Sequence, residues 1–71
     1  MNNSAAVRKK RDFEEKIIFY LKESKNPLST SDLAGKLDKA WHTIDRGCLM
    51  LQIEGKLEGF KVGKMNLWRL K

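Results

Sequence analysis

The stretch LSTSDLAGKLDKAWHTIDR, Leu28 to Arg46, decides the fold of this chain. Ser29 and Asp32 stand three residues apart ahead of an apolar run. This is the spacing of a capping box, in which each side chain takes up the other's free backbone N–H. Leu28 and Leu33 occupy the positions of a hydrophobic staple across the same helix start. Leu33, Ala34 and Leu37 repeat at helical spacing, which predicts a short helix over Thr30 to Leu37. Gly35 weakens that helix by about 1 kcal/mol against alanine. A second helix follows after very few residues, with Ile44, Cys48 and Leu51 on one stripe and Gly55 as its stop. Asp38 is a better cap for it than Ala40. Trp41 opens this helix and has two readings, one facing a partner and one packed on the preceding helix.

Upstream, Phe13, Ile17, Tyr20 and Leu21 recur at helical spacing, with Asp12 as N-cap and Glu14 and Glu15 in the first turn, where carboxylates suit the helix dipole. Asn26-Pro27 disfavours continuation, so this helix is expected to end near Ser24. Residues 1–11 lack apolar periodicity and read as a flexible basic arm, leaving 12–71 as one domain. Downstream of Gly55 the period shortens. LEGFKV and NLWRLK, separated by Gly63-Lys64-Met65, read as the strands of a hairpin, with Gly63 and Asn66 able to take positive φ. Trp68 and Leu70 share one face of it and are expected to close the core. The predicted order is three helices and then two antiparallel strands, an α+β domain.

With 71 residues, a domain buries only roughly 60% of the surface its unfolded chain exposes, so the core is thin. Cys48 is the sole cysteine. It offers neither a disulfide framework nor a four-ligand zinc set, and an intracellular, cytoplasmic protein is expected. No apolar run approaches the roughly 18 residues of a membrane span, and the first residues lack the apolar centre of a signal peptide.

Charge is more informative. The formal net charge is +6, unevenly spread. Arg8, Lys9, Lys10 and Arg11 make the first 11 residues +4; residues 12–55 carry six basic against eight acidic side chains; Lys56, Lys61, Lys64, Arg69 and Lys71 against Glu58 make the last segment +4 again. Two basic ends around a mildly acidic body point to two contacts on a polyanion.

These residues resemble the winged helix-turn-helix DNA-binding domains. The likeness runs from about Phe13 to Leu70. Its most specific part is the pattern Leu-Ser/Thr-x-x-acid-Leu-Ala-x-x-Leu, short turn, x-x-Thr-Ile/Val-x-Arg, met by Leu28, Ser29, Asp32, Leu33, Ala34, Leu37, Thr43, Ile44 and Arg46. Small prokaryotic, archaeal and viral regulators look most similar. The resemblance implies a third helix in the major groove of double-stranded DNA and a two-stranded wing on the backbone or minor groove. It further implies a transcriptional regulator in the cytoplasm, on the nucleoid or, for a viral protein, in the host cytoplasm. The chain departs from the family at Asp38, where Gly is common, at Lys39, where an aliphatic residue is common, and at Ala40, where Ser or Thr caps. No added ligand-binding domain accompanies the wing here, so no small-molecule ligand or cofactor is expected.

With Ile44 inward, the 100° rotation per residue turns His42, Arg46 and Leu49 outward, with Asp45 beside them and Trp41 at the margin. There Arg46 suits guanine and Leu49 a thymine methyl. Thr30 and Ser31 at the second helix start, Lys39 in the turn that follows this helix, and Thr43 on the third helix are candidates for phosphates. So are Lys61, Lys64 and Arg69 in the wing and Arg8, Lys9, Lys10 and Arg11 in the arm. The alternatives are a solvated helix face, capping alone, and a lysine-rich edge hairpin. His42 and Cys48, about 120° apart around the helix, cannot share a metal. No catalytic pair or phosphate-binding glycine loop is present, so an enzyme is not expected. Ile18, Phe19, Leu49, Met50 and Ile53 exceed the needs of one small core. They raise two further expectations: a C2 homodimer and, as a rival to DNA binding, a protein-interaction module. A non-specific architectural DNA binder is the third reading.

Overall fold

The computed structural model describes residues 4–71, with side chains from Phe13 onward. Three helices, α1 (Ser4–Glu23), α2 (Thr30–Leu37) and α3 (Trp41–Ile53), accompany three strands, β1 (Leu28–Ser29), β2 (Leu57–Val62) and β3 (Met65–Leu70). The class is α+β, as the sequence indicates. One difference is the sheet, which has three strands in the order β1-β3-β2, all antiparallel. Leu28 pairs with Trp68 and Ser29 with Leu67. Two residues are too few to carry a period-2 pattern, which is why β1 left no trace in the sequence.

The start of α2 follows expectation. Ser29 Oγ accepts from the Asp32 N–H at 3.0 Å, and Asp32 Oδ2 accepts from the Ser29 N–H at 3.1 Å. Asp38 departs from expectation. It is the C-cap of α2, held left-handed at φ 56°, and α3 starts from Ala40 with no side-chain cap. The Lys39 N–H returns to the Ala34 carbonyl at 3.1 Å and closes α2. Asp tolerates this conformation better than most residues, but glycine adopts it freely. Asp38→Gly is therefore expected to raise the thermal midpoint by roughly 2–6 °C, and Asp38→Ala to lower it. Calorimetry showing equal midpoints for the two variants would contradict a strained cap.

The C-terminus of α3 is closed by Gly55 at φ 80°, with the Gly55 N–H on the Gln52 carbonyl and the Lys56 N–H on the Leu51 carbonyl. These two bonds form a Schellman motif. In the hairpin, Gly63 takes φ 64°, while Asn66 lies inside β3 opposite Lys61 rather than in the turn. The helix α1 begins at Ser4, upstream of the cap expected at Asp12. The side chains of the basic segment, Arg8 to Arg11, lie outside the described residues.

The core is assembled from one face of each element. Ile17 and Leu21 of α1, Leu33 of α2, Ile44, Cys48 and Leu51 of α3, Leu57 of β2 and Trp68 of β3 are buried together, and Leu28 and Leu70 pack against them. The α3 stripe is the one expected from sequence. Gly59 lies opposite Trp68 across the strand pair. The Trp68 indole approaches it so closely that a Cβ at Gly59 would collide with the ring. Among the described residues no helix is long and apolar enough to cross a membrane.

Candidate nucleic-acid interface

One helix face and three neighbouring clefts define the site. Ile44 and Cys48 turn inward, so His42, Arg46 and Leu49 project outward and are exposed. They form a ridge along α3 between α1 and the wing, the hairpin of β2 and β3. Thr43 is half-buried on the α1 side, where it lines a groove with Phe13, Arg46 and Met50. On the wing side, Asp45, Leu49 and Gln52 of α3 face Lys61 and Asn66 across a second groove. Lys61 shares the α3-facing side of the sheet with Trp68, while Arg69 projects from the other side.

Three expected site residues behave differently from a simple exposed contact. Thr30 is 1% exposed. Its hydroxyl accepts from the Trp68 indole N–H at 2.8 Å and donates to Asp45 Oδ1 at 3.3 Å. A hydroxyl engaged twice inside the protein is not offered to a phosphate, so Thr30 is a core residue by its side chain. Asp45 is correspondingly half-buried, holding this polar chain rather than lying open beside Arg46. Arg69 is exposed but engaged: its Nε donates to Glu58 Oε1 at 3.1 Å and its guanidinium lies over the Phe60 ring. Ser31, Lys39, Lys61 and Lys64 are exposed, and none of them has a described ion pair.

Trp41 is exposed, at 48% of its surface, against 3% for Trp68. Its two readings are thereby separated: the indole is not absorbed by α2. It lines a small cleft with Ser31, Lys64, Met65 and Asn66, where the starts of α2 and α3 meet the wing tip. Met65, Asn66 and Gln52 are additions to the site: Met65 and Asn66 read from sequence only as turn residues, and Gln52 carries no signal of its own. The hairpin register that brings Met65 and Asn66 to α3 is the signal that would have found them.

Cys48 is fully buried on the inward side of α3, with the His42 side chain exposed on the other side. Burial, and secondarily the negative charge of Asp45, pushes its thiol up to about 12. The thiol is neutral in the fold but ionises in the unfolded chain from its ordinary value of 9.0. A folded-state pKa above the unfolded one contributes stability that is complete below pH 9 and lost as pH rises towards 12. At pH 10.5 the loss is about 2 kcal/mol. Urea titrations at pH 8 and 10.5 should show it, and Cys48→Ala should flatten that part of the alkaline decline. Among the described residues no cluster of acidic, histidine and cysteine side chains is placed to hold a metal.

Three helices with a hairpin packed beside the third define the winged helix-turn-helix class, and this chain has that fold. It is similar to a solved chain of HOP2, described in terms of "DNA recognition and protein interaction domains" and "homologous DNA pairing properties", with a TM-score of 0.74. The match is 24% identical and covers 83% of this chain and 98% of that one. At that identity the likeness establishes the fold. No family model matches the chain, and no curated protein does.

Proposed function

We propose that this chain binds double-stranded DNA in a sequence-specific manner and acts as a transcriptional regulator in the cytoplasm. The observation that carries the reading is the split of α3. Ile44 and Cys48 are fully buried, while His42 and Arg46 are exposed on the opposite face of the helix, with the exposed wing cations Lys61 and Lys64 to one side. A helix presenting such a face fits the major groove, where an arginine recognises guanine O6 and N7 with two hydrogen bonds. Lys39, Lys61 and Lys64, with the basic segment Arg8 to Arg11 assigned from sequence, neutralise phosphates. The HOP2 structure, described by DNA recognition, supports this reading through the shared fold.

Selection of bound duplexes from a random pool tests it. A consensus should emerge, and binding to the selected duplex should fall with salt at a log–log slope of about −5 to −7, the release expected for roughly five to eight phosphates. A two-fold symmetric consensus would support the homodimer proposed from sequence. Equal affinity for selected and random duplexes would replace the regulator with an architectural binder.

A second reading rests on a separate observation. Leu49, Met50 and Ile53 at the C-terminal half of α3, and Phe60, Val62 and Met65 on the wing, are exposed apolar side chains. Leu49 and Phe60 line one groove, adjoining exposed apolar groups mark protein contacts, and the HOP2 description also speaks of protein interaction domains. Absence of binding to any duplex at low salt would favour this reading.

A further inference from the structure

We infer that Trp41 is a stacking platform for an unpaired DNA base, so that the chain also binds single-stranded DNA at the cleft between α2, α3 and the wing tip. The inference deepens the DNA-binding reading above and rests on its assignment of this face to DNA, not on duplex recognition or regulation.

The two tryptophans have opposite fates. Trp68 is buried and its N–H is bonded to Thr30. Trp41 keeps 48% of its surface in solvent, although a tryptophan of a folded chain is on average highly buried. It lies on the wing side of α3, off the ridge of His42 and Arg46, and forms one wall of the cleft. Lys64 brings a cation and Ser31 an exposed hydroxyl to the same cleft, Asn66 brings an amide, and among the described residues no carboxylate lines it. Met65, 52% exposed, adds a polarisable thioether, a surface that packs well on flat rings.

Size and chemistry select the ligand. The cleft is about 120 Å³, well below the roughly 300–1,000 Å³ of sites that engulf a small molecule. It suits one flat ring laid against the indole with the rest of the ligand outside. An aromatic wall beside an exposed cation is the chemistry that holds single strands, with the base on the ring and its phosphate on the ammonium. In a paired duplex both faces of each base are already covered by neighbours, so the platform selects unpaired bases.

Binding of a short oligothymidylate, followed by tryptophan fluorescence and by competition with a fully paired duplex, tests the inference. The oligonucleotide should quench the exposed indole. Trp41→Ala should weaken oligothymidylate binding by roughly 5- to 150-fold, the range of one base–aromatic stack, and Trp41→Phe should restore part of it. The loss for the paired duplex should be several-fold smaller than that for oligothymidylate, and the unaltered near-ultraviolet signal of Trp68 should report an intact fold. Unchanged oligothymidylate affinity in Trp41→Ala, or an equal loss for both DNA forms, overturns the inference while leaving duplex recognition standing. Conversely, failure of every duplex to bind, with Trp41-dependent binding of oligothymidylate intact, overturns the regulator and keeps the platform. If neither DNA form binds, both are overturned.

Discussion

Replacing Trp68 by alanine is expected to leave the chain without a cooperative fold at room temperature. Removing a buried tryptophan side chain costs about 3–5 kcal/mol. A single core in a chain this short rarely supplies more than about 3–5 kcal/mol in total. Trp68 is 3% exposed, and it joins β3 to both neighbouring strands through Leu28 and Gly59. Its loss also removes the donor to Thr30. Circular dichroism through a urea titration should show no sigmoidal transition for Trp68→Ala. Trp68→Phe keeps most of the apolar area but leaves the Thr30 hydroxyl short of one partner. It should fold with a loss of about 1–3 kcal/mol. If the alanine variant unfolds with the wild-type midpoint, the indole is not the centre of this core.

The second large effect concerns recognition. Under the duplex-binding proposal, Arg46→Ala should cost about 1–3 kcal/mol at one base pair and relax the preference there. Lys64→Ala should weaken all duplexes alike and reduce the steepness of the salt dependence by about one unit. The structural ground for separating them is position: Arg46 projects from the ridge of α3 and Lys64 stands in the hairpin turn at the wing tip. Binding measured across single-base variants of the selected site distinguishes the two. Identical profiles for both variants would mean that reader and clamp are not divided in this way.

Local chemistry was readable where neighbouring residues settle it. The capping box of Ser29 and Asp32, the bounds of α2, the inward stripe of α3 and the glycine stop at Gly55 all rest on interactions within a few positions of one another. The face of α3 left open to a partner follows from the same periodicity. Long-range pairing was not readable. Thr30 has the look of an exposed first-turn residue, and only partners 15 and 38 positions away bring it inside. The one available signal was the need of a buried tryptophan for an acceptor near its N–H. Asp38 was assigned to the wrong helix because an aspartate suits both a left-handed C-cap and an N-cap, and two helix ends share three residues there. Trp41 was undecidable for a further reason: at the margin of an amphipathic helix, neighbouring elements determine whether a side chain is covered.

The contact at Thr30 has one more consequence. A single hydroxyl oxygen joins the start of α2, the middle of α3 through Asp45 and the second wing strand through Trp68. Wing and ridge therefore cannot shift independently without breaking a buried bond. The spacing between the wing lysines and Arg46 is set when the chain folds, before any partner arrives. Association then carries little entropic penalty for ordering this backbone frame, which leaves more of the contact energy to appear as affinity. A partner whose own contact points do not match that fixed spacing must deform itself or bind weakly.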